Sequence, residues 1–144
     1  MIPNNKLKSE NPFDDKSFDI VVCLATIEHI GSHEQQRAFI HDLCRVGHTC
    51  FITTPNRWYP LEFHTVLPFV HWLPNPWFRA ILKFLGKHFY ANENNLNLLS
   101  KKELICLLPK NVIVHVRYFR LFGMVSNLMF FVENQTDIAF KAIT

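Results

Sequence analysis

An apolar run, a helical pattern and a second apolar run follow one another early in this chain, and their order constrains its fold more than any other feature. Residues 18–24 (FDIVVCL) form an apolar, β-branched run, which is typical of a strand buried on both faces. A capping box at Ser32 and Gln35, with the apolar spacing after it, predicts a helix over about 34–46. Residues 50–54 (CFITT) then predict a second strand, which a proline ends. Since strand, helix and strand form the parallel crossover unit, the sequence predicts an α/β fold.

The middle of the chain, about residues 57–99, has a different character. Prolines and aromatic residues are mixed there without a clean period, which indicates an insertion or a lid. Inside it, Asn75 and Pro76 are typical of a helix start, and the residues after them predict a short amphipathic helix. A length of 144 residues is that of a single domain, so we assign the insertion and the strands to one domain over residues 1–144.

Two β-rich runs lie near the end of the chain, at residues 112–119 and 127–133. A second capping box, at Ser100 and Glu103, predicts a helix before them. Only the turn over 120–126 separates the two runs, so we expect them to pair antiparallel.

Composition and charge argue against several classes of function. The formal net charge is only +3, from 15 basic and 12 acidic residues, and no block of Lys or Arg could track a phosphate backbone, so no nucleic-acid partner is expected. The four cysteines lack a C-x-x-C spacing and the first residues lack an apolar signal sequence, which together predict a reduced, cytoplasmic setting. Prolines and charges interrupt the longest apolar region, residues 66–85, which argues against a membrane-spanning helix.

Three segments resemble the later part of class I S-adenosylmethionine-dependent methyltransferases of the type 11 kind. They are PFDDKSFDIVVCLATIEHI over 12–30, a helix ending in DLCRV, and CFITTPNR over 50–57. The resemblance implies an incomplete Rossmann-like sheet of parallel strands with a C-terminal antiparallel hairpin and helices on its faces. Residues 18–24 would be the family's fourth strand. The implied function is methyl transfer from S-adenosylmethionine to a small or lipid-linked acceptor.

The glycine-rich turn that holds the cofactor in this family has no counterpart here. The four glycines, Gly31, Gly47, Gly86 and Gly123, are all isolated. We therefore expect a partial, truncated domain that begins after the family's first three strands, in which methyl transfer by the chain alone is impaired or absent. Its fourth strand would be an exposed edge, which favours self-association.

The resemblance also assigns the cofactor contacts. Asn11, Pro12 and Phe13 correspond to the segment that flanks the adenine. Leu24 and Ala25 correspond to the lip beside the ribose and methionine, since the cofactor lies outside the carboxyl ends of the parallel strands.

Glu28 and His29 are the candidate catalytic residues, because a carboxylate and an imidazole at a strand-to-helix corner can reach the crevice as general base and substrate contact. The alternative is that they only solvate or hydrogen-bond the connection. In the ubiquinone-biosynthesis O-methyltransferases, similar residues join an earlier Glu in a metal site. Ala25 stands in that place here, so no metal site is expected.

Three residues beyond the second strand are candidate substrate contacts: Asn56, Trp58 and His64. The alternatives are a turn role for Asn56 and a surface or packing role for His64, which lacks the spacing of a metal ligand. The aromatic insertion around them is interpreted as a cap over a hydrophobic acceptor, as a peripheral membrane contact, or as a layer that covers the core.

A second class of function stays open. The chain is alternatively a non-catalytic, methyltransferase-like remnant that binds a protein partner or a membrane surface through its exposed strand and its aromatic layer. A third interpretation is a truncated product with no independent role.

Overall fold

The structure, a computed structural model, describes residues 12–134 of the chain. Over this range the chain has a mixed α/β fold with three α-helices, a four-stranded sheet and a small two-stranded ribbon. The elements are, in chain order, β1 (Phe18–Leu24), α1 (His33–Val46), β2 (Gly47–Pro55), β3 (Leu61–Glu62), β4 (Leu67–Pro68), α2 (Asn75–Phe84), α3 (Lys101–Leu107), β5 (Val112–Leu121) and β6 (Met124–Asn134). The predicted α/β class is confirmed.

The four-stranded sheet has the order β1-β2-β6-β5. β1 and β2 are parallel, as a helical crossover between them allows, with Val21 opposite Cys50. β6 lies antiparallel to both β2 and β5. The predicted combination of parallel strands and a C-terminal antiparallel hairpin is therefore confirmed.

The hairpin turn is tighter than predicted. β5 and β6 are longer than the two β-rich runs, so only Phe122 and Gly123 connect them, instead of residues 120–126. Both residues have positive φ, 50° and 78°, which suits the twist of two-residue hairpins. Gly123 adopts this conformation without strain, whereas a bulky side chain such as that of Phe122 rarely does. The sequence therefore gives no sign that Phe122, the first residue of this turn, has a positive φ.

α1 and α3 contribute to the core on one face of the sheet. Each helix begins with a complete capping box, Ser32 with Gln35 and Ser100 with Glu103, as predicted. The core contains the buried side chains Cys23, Ile27, Ile40, Cys44, Cys50, Ile52, Leu99, Leu104, Leu107, Leu108, Leu128, Phe130 and Val132. Full burial of a Leu, Ile or Phe side chain contributes about 1.5–3 kcal/mol relative to exposure.

The opposite face of the sheet is open at β1. Ile20, Val22 and Leu24 are 62%, 57% and 58% exposed, and Cys23 alone is buried in this strand. The prediction that the strand is buried on both faces is therefore wrong, because core packing covers only the face that carries Cys23. β1 is also the end strand of the described sheet, as expected from the resemblance.

Residues 57–99 connect β2 to α3, and this segment packs around a small core of its own. That core contains Phe78, Leu82, Ala91, Leu96 and Leu98. α2 supplies the first two and begins at Asn75 with a proline in its first turn, as predicted. No helix among the described residues is long and apolar enough to cross a bilayer.

Candidate functional site

β1 ends in a turn that places two ionisable residues at the carboxyl edge of the sheet. Ala25 follows the strand with a φ of 45°, and its N–H donates to the carbonyl of Thr53 at 3.0 Å. A single 3₁₀ turn, Ile27–His29, comes next. This turn buries Glu28 completely and leaves His29 partly exposed beside it.

Glu28 is a buried carboxylate with one unsatisfied oxygen. Its Oε2 accepts a hydrogen bond from Oγ1 of Thr54 in β2, at 3.0 Å. Its Oε1 has no hydrogen-bond partner among the described residues. Burial raises the pKa of Glu28, because a charged carboxylate is poorly stabilised away from water. A buried polar atom without a partner is uncommon in native proteins. Oε1 of Glu28 is therefore able to bind a proton or a cation.

The rings of His29 and His64 lie against one another. Their centroids are 4.8 Å apart and their planes are nearly perpendicular, at 84°. The Nδ1 atom of His29 is 2.7 Å from the carbonyl oxygen of Asn95, which can only accept, so Nδ1 carries the proton. In the neutral ring, Nε2 then has a free lone pair, which can accept a proton or coordinate a metal ion.

Glu62, at the end of β3, fixes the position of His64. One oxygen of its buried carboxylate accepts from the N–H and from Nδ1 of His64, at 2.9 and 2.7 Å, and the other accepts from the N–H of Thr65. Burial acts to raise the pKa of Glu62, but these hydrogen bonds outweigh it and hold the pKa at about 2. The bond to Glu62 in turn raises the pKa of His64. A carboxylate behind a histidine also orients many metal-ligating histidines.

Glu28, His29 and His64 form one group, called here the Glu–His cluster. One potential ligand atom of each residue lies within 4.8 Å of those of the other two. Carboxylate oxygen and imidazole nitrogen are ligands for divalent cations such as Zn²⁺. His64 comes from a distant part of the chain, and no spacing rule joins it to Glu28 and His29. The sequence therefore did not indicate this group, which only the folding of residues 57–99 assembles.

Asn56 and Trp58, the other candidate substrate contacts, line a groove of about 600 Å³. The lining residues are Asn56, Trp58, Ser100, Lys101, Lys102, Ile105, Cys106, Tyr118, Val125 and Leu128. Nδ2 of Asn56 donates to the carbonyl of Val125 at 2.9 Å, and its Oδ1 accepts from the N–H of Trp58 at 3.2 Å. These are the contacts of a turn residue, and they also shape one wall of the groove.

The residues assigned to cofactor binding do not come together in the described chain. Phe13 lies at the amino end of β1, where its ring packs edge-to-face on the first residue of that strand, with centroids 4.9 Å apart. Leu24 and Ala25 lie at the opposite end of β1, and both are exposed. Pro12 is exposed next to Phe13, and Asn11 lies outside the described residues.

Part of this sequence is similar to a known protein family. Residues 6–49 match the family model described as "Methyltransferase domain", which confirms the resemblance predicted from the sequence. No curated protein matches the chain.

Two solved structures are similar in shape. One is an SAM-dependent methyltransferase from Methanosarcina mazei, with 12% identity and a TM-score of 0.49, where the match covers 86% of this chain and 62% of that one. The other is a chain of the Pnkp1/Rnl/Hen1 RNA repair complex, with 15% identity and a TM-score of 0.45, covering 85% of this chain and 23% of that one. The chain thus spans less than two thirds of the length of either protein.

Proposed function

We propose that this chain takes part in S-adenosylmethionine-dependent methyl transfer to a small or lipid-linked acceptor, because residues 6–49 match the family model described as "Methyltransferase domain". The Glu–His cluster is the observation that carries the proposal. Glu28 and His29 belong to the matched segment and follow the carboxyl end of β1, where open α/β sheets bind their ligands. His64 joins them from the segment of residues 57–99.

The cluster can take up the proton that the acceptor loses. When bound, S-adenosylmethionine supplies an activated methyl group, so the protein mainly positions the acceptor and removes its proton. Nε2 of His29 is the proposed proton acceptor, because the carbonyl of Asn95 holds the ring through Nδ1. The carboxylate of Glu28 stabilises the imidazolium that results.

The same three residues fit a divalent cation. Glu28, His29 and His64 would hold it, and the unsatisfied Oε1 of Glu28 fits that role. Glu62 and the carbonyl of Asn95 would orient the two histidines from behind. A cation at this place would lower the pKa of a hydroxyl group bound to it.

The groove beside Asn56 and Trp58 supports an acceptor with an apolar part. Its walls are mostly apolar, while Lys101 and Lys102 add positive charge. A volume of about 600 Å³ is within the usual range of small-molecule sites. An amphipathic acceptor that carries negative charge is therefore the class that fits best.

The chain alone is proposed to bind the cofactor weakly, with impaired or absent transfer. All four glycines of the sequence are isolated, so it contains no G-x-G turn to let the cofactor approach the backbone.

Isothermal titration calorimetry with S-adenosylmethionine tests the proposal. We expect weak binding by the wild-type chain, loss of binding in Leu24→Asp at the strand end, and unchanged binding in Phe122→Asp at the hairpin turn. A cooperative thermal transition shows that the protein is folded. If such protein gives no heat of binding up to about millimolar S-adenosylmethionine, the proposal is contradicted.

A second candidate function is non-catalytic binding through β1. The exposed apolar side chains Ile20, Val22 and Leu24 at the end of the sheet favour it. An unpaired edge strand with such side chains is a template for pairing, and the partner that this edge fits by symmetry is a second copy of the chain. Folded protein that self-associates but gives no heat with the cofactor supports this candidate over methyl transfer.

A further inference from the structure

The segment of residues 57–99 exposes several large aromatic rings, six of which are called here the aromatic patch. The patch is the group of exposed rings Trp58, Phe69, Trp72, Trp77, Phe84 and Phe89. Each ring is at least 40% exposed, and the group includes all three tryptophans of the chain. Proteins that act as isolated monomers rarely expose large rings in this number, so the surface is expected to bind something.

Part of the patch is continuous by direct ring contact. The ring of Trp72 lies 5.0 Å from that of Phe69 and 6.5 Å from that of Trp58, between centroids. The guanidinium group of Arg57 lies 5.8 Å from the centre of the Trp58 ring. Trp58 also lines the groove described above, so the patch reaches the groove.

α2 exposes large rings in addition to the side chains that it buries. Phe78 and Leu82 are in the small core. Trp77 and Phe84 stand two turns apart on another side of the helix, and they are 69% and 87% exposed. A helix that served core packing alone would carry polar residues on that side. The packing of the described chain therefore does not account for these two rings.

Positive charges outnumber negative ones along the sequence that carries the patch. The sequence from Phe63 to Asn92 contains no Asp or Glu, while it contains Arg79, Lys83 and Lys87. Of the two carboxylates that flank this stretch, that of Glu62 is buried, whereas that of Glu93 is exposed and its charge acts on Arg79. Exposed aromatic rings beside Lys83 and Lys87 are complementary to the headgroups of anionic lipids.

We propose that the aromatic patch is a docking surface for the face of a lipid bilayer that contains anionic phospholipid. Trp and Tyr rings are favoured at the boundary between headgroups and acyl chains, and Lys side chains extend to the phosphates. Docked through these side chains, the protein would lie on the surface of the bilayer. Docking would also bring the groove to the lipid, which suits a lipid-linked acceptor. That consequence alone rests on the proposed function.

Tryptophan fluorescence with lipid vesicles tests the docking directly, since every tryptophan belongs to the patch. Vesicles of phosphatidylcholine are compared with vesicles of phosphatidylcholine and phosphatidylserine, and co-sedimentation gives the affinity. We expect a blue shift of the emission, tighter binding when phosphatidylserine is present, and weaker binding at high salt.

Two substitutions in α2 locate the surface. Trp77→Ser combined with Phe84→Ser should weaken vesicle binding about tenfold or more, because each ring stabilises the bound state by burial. Phe122→Ser is the matched control, since Phe122 is as exposed as Phe84, at 87%, but lies on the hairpin turn. Lys83→Glu with Lys87→Glu should remove the preference for phosphatidylserine. Thermal unfolding of each variant shows that it is folded.

Several results would overturn the docking proposal. One is the absence of vesicle binding by folded wild-type protein. Another is a loss of binding in Phe122→Ser as large as that in the α2 double variant. A third is a dimer in sedimentation that the α2 substitutions dissociate while vesicles bind neither form, since the patch would then be covered by a second copy. The calorimetric experiment with S-adenosylmethionine is independent of all three, so failure of one proposal is distinguishable from failure of the other.

Discussion

The carboxylate of Glu62 lies 2.7 Å from Nδ1 of His64 and joins the β3–β4 ribbon to the Glu–His cluster. Hydrogen bonds from His64 and Thr65 hold its pKa at about 2, below its ordinary value of 4.5, so these bonds together stabilise the folded state at neutral pH. A depression of this size corresponds to about 3 kcal/mol. This stability is present above the ordinary pKa of Glu62 and is lost as the pH falls toward its folded pKa.

We therefore expect Glu62→Gln to be less stable by about 3 kcal/mol at pH 7 and to lose less stability than wild type on acidification. The raised pKa of His64 acts in the other direction, because its contribution is complete below the ordinary pKa of histidine and fades as the pH rises through its folded pKa. Urea denaturation between pH 2 and pH 8 measures both effects. Glu34→Gln, on the exposed first turn of α1, is the control and should change little.

Glu28 should limit stability rather than increase it. Its pKa is raised by burial, so its ionised form costs free energy above the folded pKa, and that cost disappears at acid pH where both states are protonated. Glu28→Gln is expected to raise the free energy of unfolding at pH 8 by about 1–3 kcal/mol and to match wild type near pH 4. A variant that is less stable than wild type at pH 8 would show that the carboxylate has a compensating partner.

The Glu–His cluster should bind a divalent cation. We expect Mn²⁺ or Zn²⁺ to raise the melting temperature of the wild-type chain by several degrees at saturating concentration, and a chelator to reverse the shift. His64→Ala should abolish it, while His88→Ala, which removes an exposed histidine outside the cluster, should leave it unchanged. An equal shift in the two variants would place the cation elsewhere.

Ala25 is held in a left-handed conformation, with a φ of 45°. Ala25→Gly is expected to stabilise the protein by about 1 kcal/mol, because glycine adopts this conformation without a steric cost. The same substitution at Ala80, inside α2, should destabilise it by about 0.5–1 kcal/mol. Chemical denaturation of the two variants compares them, and a loss of stability in Ala25→Gly would contradict the expected strain.

β1 should mediate any self-association of the chain. Ile20→Lys places a charge on the exposed apolar face of the end strand, where it interrupts pairing between copies. Sedimentation velocity at increasing concentration should show association of wild type and a monomer for the variant. Ile105→Lys, at a partly exposed position on α3, should associate like wild type. If both variants associate alike, the contact lies elsewhere.

The order of the α-helices and of the strands of the large sheet was predictable because its signals are local, whereas the two short strands of the β3–β4 ribbon were not predicted. The capping box at Ser32 placed the start of α1 within one residue, and Asn75 with its proline placed the start of α2. Burial was less predictable, because the pattern of β1 is that of a fully buried strand. An apolar run shows that a strand can be buried, but only the packed elements decide how many of its faces are covered.

The candidate site was predictable only in part, since its geometry is tertiary. Glu28 and His29 are neighbours at the end of a strand, so their position could be inferred from the sequence. The folding of residues 57–99 brings His64 against His29, and hydrogen bonds to Glu62 orient it. The sequence gives no signal for the fold of this segment or for the Glu62–His64 bond. Likewise, only the structure shows that Nδ2 and Oδ1 of Asn56 both form hydrogen bonds with backbone groups.

The members of the Glu–His cluster come from two chain segments, and each segment also contributes residues to a different core. Glu28 and His29 follow β1 of the large sheet, whereas His64 belongs to the segment that packs around Phe78 and Leu82. A ligand held by all three residues would act as a cross-link between these cores. Its binding would then slow the exchange of backbone amide hydrogens in α2, far from the ligand, because local opening of that segment would require the ligand to dissociate.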